Sequence, residues 1–261
     1  AAKAPQRDQI AGITRWYQLE LARLKVDLRL GTRADETTIR DLRGDVVILA
    51  VGGRPFMDQF ASWGYDEDPA KSLIVSSWDV LDGRVAPGSN VLIYDSICEF
   101  SGVSVADYLA DKGARVEIVT DDIKPGAAVG GTTFPTYYRS LYAKEVVMTS
   151  DMVLHEVYRE GEGLVAVLEN EYTGTLEERV VDQIVVENGV RPDEALYYAF
   201  KDGSLNKGQI DVESLYAIKP QPCLSQATEG NDYLLFRLGD CNAPRNTHAA
   251  IYDALRLCKD F

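Results

Sequence analysis

Two glycine-bearing turns carry the residues best suited to chemistry. Gly239-Asp240 follows an apolar run, Tyr233–Leu238, and precedes a helix that starts near Asn246. A strand end feeding a helix start presents unpaired backbone N–H groups at the positive end of a helix dipole, a receptor for anions. Asp240 adds a carboxylate there, and Arg245 adds a guanidinium that can pair with a phosphate. The plain alternative makes Asp240 a helix cap and Arg245 a surface charge. Gly52-Gly53-Arg54-Pro55 closes a second apolar run, Asp45–Ala50. It reads equally as a binding turn or as a tight turn with no ligand.

A third turn has the right place but the wrong residues. After the strand Asn90–Tyr94 the chain reads Asp95-Ser96-Ile97-Cys98-Glu99-Phe100. A dinucleotide turn needs glycine so that the backbone can approach a pyrophosphate. Here those glycine positions fall on Asp95, Ile97 and Phe100. Side chains block the approach, and Asp95 and Glu99 repel phosphate. Asp121 and Asp122 stand after the next strand, where an acid binds a ribose 2′-OH in an intact site. With the phosphate turn lost they read as solvated acids, and this region is expected not to bind NAD(P)H.

Other chemistry is excluded by count. The four cysteines, Cys98, Cys223, Cys241 and Cys258, form no C-x-x-C pair, so no zinc knuckle or iron–sulfur run is spelled out. They read as structural thiols of a reduced, cytoplasmic protein. Two histidines, His155 and His248, cannot build a multi-histidine metal site, and no G-x-S-x-G elbow accompanies them. Forty-one acids against 27 bases give a formal charge of -14, which disfavours a nucleic-acid partner. No apolar run approaches the roughly 20 residues that span a membrane. The opening residues lack the apolar core of a signal peptide.

The elements around these turns alternate between helix and strand. Residues 8–25 have the apolar spacing of an amphipathic helix, with Asp8 as its cap. Val26–Leu30 reads as a short strand. Ser76–Leu81 reads as one or two helical turns. Asn90–Tyr94, Val103–Lys112 and Val116–Val119 form a βαβ unit with Gly113 closing its helix. Pro135–Lys144 reads as a helix. Val146–Thr149, Met152–Tyr158 and Leu164–Asn170 alternate like antiparallel strands, and Asp182–Val186 is a further apolar strand. The closing helix, Asn246–Cys258, places Ala249, Tyr252, Leu255 and Cys258 on one side. Three adjacent aromatic pairs, Trp16-Tyr17, Tyr137-Tyr138 and Tyr197-Tyr198, are each expected to bury one ring. VVILAVGGRP at 46–55 is echoed by QIVVENGVRP at 183–192, which suggests two similar α/β units, one inserted in the other.

The chain resembles the trimethylamine dehydrogenase and 2,4-dienoyl-CoA reductase family, in its C-terminal nucleotide-binding region. The residues that carry the resemblance are AAKAPQRD at the start, GDVVILAVGGRP at 44–55, VLIYDSICEFSGVSVADYLADKGARVEIVT at 91–120 and LGDCNAPRNTHAAIYDALRLCKD at 238–260. The last is the most specific. Where the family usually has Ala-Thr-Gly-x-x-Pro, this chain has Ala50-Val51-Gly52-Gly53-Arg54-Pro55, losing a threonine hydroxyl. The family's first G-x-G-x-x-G turn is absent.

The resemblance implies an α/β fold: an incomplete Rossmann-like domain interrupted by a second, inserted one. The expected boundaries are 1–85 for the first part of an FAD/ADP-binding domain, 86–192 for the degenerate inserted domain, and 193–261 for the return segment. It implies ADP or FAD held by Gly52, Gly53, Arg54, Gly239, Asp240 and Arg245. It places FMN and a 4Fe-4S cluster on a TIM-barrel portion or subunit outside this chain, within an oligomeric assembly. Loss of the NAD(P)H turn aligns the sequence with demethylating amine and N-methyl amino-acid dehydrogenases. These pass electrons to an electron-transfer flavoprotein, and no catalytic residue is expected in this chain. An NAD(P)H-dependent enoyl reductase and a non-catalytic assembly subunit are the alternatives.

Overall fold

Runs of β-branched and aliphatic residues set the strands, and the side chains of Asp35, Ser76, Asp211 and Asn246 cap four of the helices. The computed structural model describes residues 2–5, 7–223 and 233–259. Ala1 and Gln6 of the opening motif and Asp260 of the closing one lie outside the described residues. In chain order the elements are α1 (Ala11–Arg23), α2 (Glu36–Leu42), β1 (Val46–Leu49), β2 (Gly53–Pro55), β3 (Ile74–Ser76), α3 (Ser77–Asp82), β4 (Asn90–Asp95), α4 (Phe100–Asp111), β5 (Arg115–Val119) and α5 (Phe134–Ala143). They continue with β6 (Val147–Thr149), β7 (Met152–Glu160), β8 (Gly163–Asn170), β9 (Leu176–Val181), β10 (Gln183–Glu187), β11 (Val190–Pro192), α6 (Ala195–Lys201), α7 (Val212–Tyr216), β12 (Leu234–Arg237) and α8 (Thr247–Cys258).

The chain forms two compact units. The first is residues 1–27 with 55–189, and the second is 28–54 with 190–261. The division differs from boundaries at 85 and 192, because β3 belongs to the first unit's main sheet. That sheet has five strands in the order β3-β10-β4-β5-β6. All its pairings are parallel, with Val185 opposite both Val75 and Ile93, and Ile93 opposite Ile118. Its central strands are buried on both faces, as parallel sheets are: Leu92, Ile93, Ile118, Ile184 and Val185 are sealed from solvent. A capping box between Ser76 and Asp79 starts α3.

β6 corrects one expectation. It extends the parallel sheet alongside β5 rather than joining an antiparallel set. The antiparallel meander is β7-β8-β9, and its third strand had no expectation of its own. Alternation alone does not reveal the direction of a partner strand.

Two N-terminal expectations also change. Asp8 caps nothing: no side chain caps the 3-10 turn at Asp8–Ile10 or the helix α1 that follows it. α1 buries none of its residues, and both Trp16 and Tyr17 are exposed. Tyr137 and Tyr197 are the buried members of the other two pairs. Val26–Leu30 is not a strand. Val26, Leu28 and Leu30 are exposed and pair with no described strand.

The second unit holds a two-stranded parallel sheet, β1 with β12, in which Val46 faces Leu234 and Leu49 faces Arg237. Its buried residues include Leu49, Phe200, Leu235, Phe236 and Cys241. The outer edge of β12 is covered. The Asn206 amide donates to the Leu235 carbonyl at 2.8 Å and accepts the Leu235 N–H at 3.0 Å, and the Leu205 N–H reaches the Tyr233 carbonyl at 2.9 Å. β11 pairs with β2, so the two echoed segments are strand partners at their Arg-Pro ends. Most of the α8 side defined by that spacing faces solvent. Tyr252, Leu255 and Cys258 are exposed, while Asp253 and Leu257 face inward.

Candidate functional site

The two glycine turns of the second unit leave the same end of one sheet. Leu49 and Arg237 are register partners, and the Leu238 N–H donates to the Leu49 carbonyl at 2.9 Å. Residues 50–54 and 238–245 therefore start side by side, past the carboxyl ends of parallel strands, where α/β folds place their ligands.

Gly239 has φ 62°, the left-handed region that glycine enters without strain. Its carbonyl accepts the N–H groups of Asn242 and Ala243 at 2.9 and 3.0 Å, which closes a tight 3-10 turn. Asp240 is half-buried, and its Oδ1 accepts the Arg245 N–H at 3.2 Å. The cap of α8 is Asn246, whose side chain accepts the Ala249 N–H at 2.9 Å. Asp240 is thus not that helix's cap.

Arg245 is tied down from the other side. Its guanidinium pairs with Asp253, which is buried on α8 and also takes Arg256 at 2.7 Å. A phosphate at this turn would share the Arg245 guanidinium with Asp253. Sequence reasoning passed over Asp253. An acid on the inward face of an otherwise apolar helix, three residues before an arginine, was the available signal.

Gly52 and Gly53 are glycine for different reasons. Gly52 has φ 75°, open space where a side chain would stand, and a carbonyl that accepts the Asp193 N–H at 3.1 Å. A Cβ on Gly53 would overlap the Arg191 carbonyl, so strand packing accounts for that glycine. Arg54 is exposed. Cys241 lies under both turns: it is fully buried, its Sγ sits 3.3 Å from the Asp193 carbonyl, and burial pushes its thiol pKa up. Arg237 stacks 4.1 Å from the Tyr197 ring centre and pairs with Glu194 at 2.5 Å, behind the start of the turn.

The turn after β4 in the first unit is organised around its own acid. Asp95 is sealed from solvent, and its Oδ1 accepts the N–H groups of Ile97 at 3.2 Å and Cys98 at 2.9 Å. Its Oδ2 has no partner and packs on Gly102, where a Cβ would overlap it. Burial, with a contribution from the charge of Glu187 opposite it on β10, pushes the Asp95 carboxyl up to about 7. Burial also raises Glu187, against the lowering effect of hydrogen bonds from Ser77 and Gly189. Cys98 takes a left-handed φ of 55°, and its Sγ lies 2.8 Å from the Thr120 hydroxyl. Asp121 is half-buried beside this turn and Asp122 is exposed, and burial raises Asp121. The two histidines stand apart: His155 pairs with Glu169 at 2.8 Å on an exposed sheet face, and His248 is exposed on α8.

No family model matches the chain. Curated relatives match it from end to end. The chain is 78% identical, over all of its length, to the N,N-dimethylglycine/sarcosine dehydrogenase of Chromohalobacter salexigens, of which it covers 38%. It is 38% identical over 99% of its length to a probable N-methylproline demethylase of Rhizobium meliloti, of which it covers 37%. Over its whole length the chain is similar to these N-methyl amino-acid dehydrogenases and demethylases. It spans well under half the length of these relatives. Among solved structures, a 2-naphthoyl-CoA reductase superimposes with a TM-score of 0.74 over the whole chain and 33% of its own length, at 18% identity. That likeness establishes the α/β fold. Among the described residues, no helix is long and apolar enough to cross a membrane.

Proposed function

We propose that the chain is the nucleotide-binding region of a flavin-dependent dehydrogenase that oxidatively demethylates an N-methyl amino acid such as dimethylglycine. The observation that carries this reading is end-to-end identity of 78% to a dimethylglycine/sarcosine dehydrogenase. In this reading the first unit is a degenerate NAD(P)-type domain inserted into an ADP- or FAD-type domain. FMN, the 4Fe-4S cluster and the substrate pocket belong to a barrel portion of the larger protein. Electrons leave to an electron-transfer flavoprotein.

The adenine nucleotide is assigned to the second unit's paired turns, and the residues there suit it. Gly52 leaves room for close approach, the Gly239 turn stands past the carboxyl ends of β1 and β12, and Asp240 offers a carboxylate to a sugar hydroxyl. Arg245 would meet a phosphate while anchored by Asp253. Arg54 flanks the same opening, and Gly53 keeps its structural role. A bound FAD would relay electrons, whereas ADP would serve as a structural ligand. Asp95 supports the choice against a nicotinamide donor, because it already holds the turn N–H groups that a pyrophosphate would need.

Denaturing the full-length enzyme and weighing the released nucleotide tests this. ADP or FAD is expected, and release of no adenine nucleotide overturns the assignment. Asp240→Ala should weaken nucleotide affinity by about tenfold, the effect of one charged hydrogen bond. Dimethylglycine should reduce the enzyme's flavin anaerobically while NADPH leaves it oxidised; rapid reduction by NADPH would favour the enoyl reductase.

A further inference from the structure

A cavity of about 320 Å³ in the first unit lies between the chain before α1 and the helices α4 and α5, away from both sets of turns. That is within the size range of small-molecule sites. The segment over it is anchored: Ala4 is buried, Lys3 pairs with Asp82 at 3.0 Å, and the Arg7 N–H closes a turn on the Ala4 carbonyl at 3.2 Å.

Opposite charges line this cavity without meeting. Arg7 packs its guanidinium over the rings of Phe100 and Tyr137, 4.7 and 5.1 Å from their centres. The Ser104 hydroxyl holds Tyr137 in place at 2.9 Å. Stacking fixes the guanidinium plane and leaves its edge donors to take a carboxylate in bidentate fashion. No ion pair joins Arg7 to Asp107, although both line the cavity.

Asp107 is 3% exposed and gives its Oδ1 to Ser140 and Lys144. Lys144 serves two acids, reaching Asp107 at 2.8 Å and Asp111 at 3.0 Å, so that wall keeps an excess negative charge. Asp107 lines the cavity, and its Oδ2 takes no hydrogen bond. Pro5, Ile10 and Tyr137 supply apolar surface between the two charged walls, with Thr136 beside them.

We propose that this cavity binds a small aliphatic amino acid as its zwitterion, with the carboxylate on Arg7, the ammonium on Asp107 and the side chain against Pro5, Ile10 and Tyr137. A dianionic phosphate ester fits poorly, because Asp107 would repel it. A simple carboxylate or a simple amine satisfies one wall and leaves the other unpaired. The inference is independent of the nucleotide and demethylase reading.

Calorimetric titration of the full-length protein tests it with three probes: L-valine, isovalerate (which lacks the ammonium) and isobutylamine (which lacks the carboxylate). L-valine should bind, and each half-ligand should bind at least about tenfold more weakly. Arg7→Gln should weaken valine by a similar factor while leaving nucleotide content unchanged. Asp107→Asn should weaken valine and isobutylamine but not isovalerate. The proposal fails if valine does not bind, if isovalerate or isobutylamine binds as well as valine, or if Arg7→Gln leaves valine binding unchanged. The half-ligand comparison needs no variant, so it remains decisive if Asp107→Asn does not fold.

Discussion

Asp95 and Asp240 occupy equivalent places in the two units. Each stands at the end of a parallel strand, at the entry to a turn and helix. Asp95 is sealed and spends its carboxylate on the N–H groups of its own turn, with Gly102 pressed against it. Asp240 is half-buried, in a turn whose helix is capped by another residue. The difference shows that a carboxylate at a strand end has two opposite uses. Turned inward, it replaces a bound anion with one of the protein's own. In the proposed function an outward carboxylate beside a glycine and an anchored arginine would meet a ligand, with one oxygen already taking the Arg245 N–H.

The comparison can be broken most severely at Gly102. Gly102→Ala puts a methyl group onto the Asp95 carboxyl, and we expect the first unit to lose about 3 kcal/mol in chemical denaturation. The control is Gly12→Ala in α1, where no atom stands in the way and helix propensity favours alanine by up to about 1 kcal/mol. If both substitutions behave alike, the packing of Asp95 on α4 does not matter.

In the second unit, Asp253→Ala leaves Arg245 and Arg256 facing each other without their shared acid. Loss of about 2 kcal/mol is expected, below the value for a fully buried pair because Arg245 is partly exposed. Nucleotide affinity should fall with it as Arg245 loses its anchor. Retained affinity would show that Arg245 plays no part in binding.

The inward acid also makes stability depend on pH. The Asp95 carboxyl titrates at about 7 in the folded protein, above its ordinary value, so the fold binds its proton more tightly than the unfolded chain does. Its contribution to stability is complete below about pH 4 and is lost as pH rises towards 7. Between pH 5 and pH 8 this amounts to about 3 kcal/mol, and the acids with depressed pKa, ionised throughout that interval, do not offset it. Urea midpoints of the first unit should fall over that interval, and Asp95→Asn should flatten the slope. An unchanged slope would mean that Asp95 is not the titrating group. Asp240→Ala, at a half-exposed position, should shift stability by no more than about 0.5 kcal/mol while changing nucleotide affinity.

The sequence was legible wherever local chemistry decides the outcome. Gly239-Asp240 and Gly52 were recognisable because a left-handed or open turn after an apolar run leaves a residue-type signature. The loss of glycine at Asp95, Ile97 and Phe100 was equally plain. What Asp95 does instead was not, because its hydrogen bonds depend on how the loop folds back onto α4. Val26–Leu30 has the composition of a strand, but a strand exists only beside a partner, and no described strand supplies one. The apolar spacing of α8 does not reveal its inner face, because Asp253 is buried with two arginines and a buried acid breaks that pattern. Arg7 and Asp107 lie far apart in sequence, and only the path of the chain over α4 and α5 sets them across one cavity.

The Asn206 amide on the edge of β12 determines where the second unit's sheet can grow. By imitating a neighbouring strand at Leu235, it uses the main-chain groups through which another chain would attach, a protection against edge-to-edge aggregation. β1 has no described strand on its far side, where Val46 and Ile48 turn their main-chain groups. Sheet extension in this unit is therefore one-directional: any added strand must come in beside β1, next to the turn that carries Gly52.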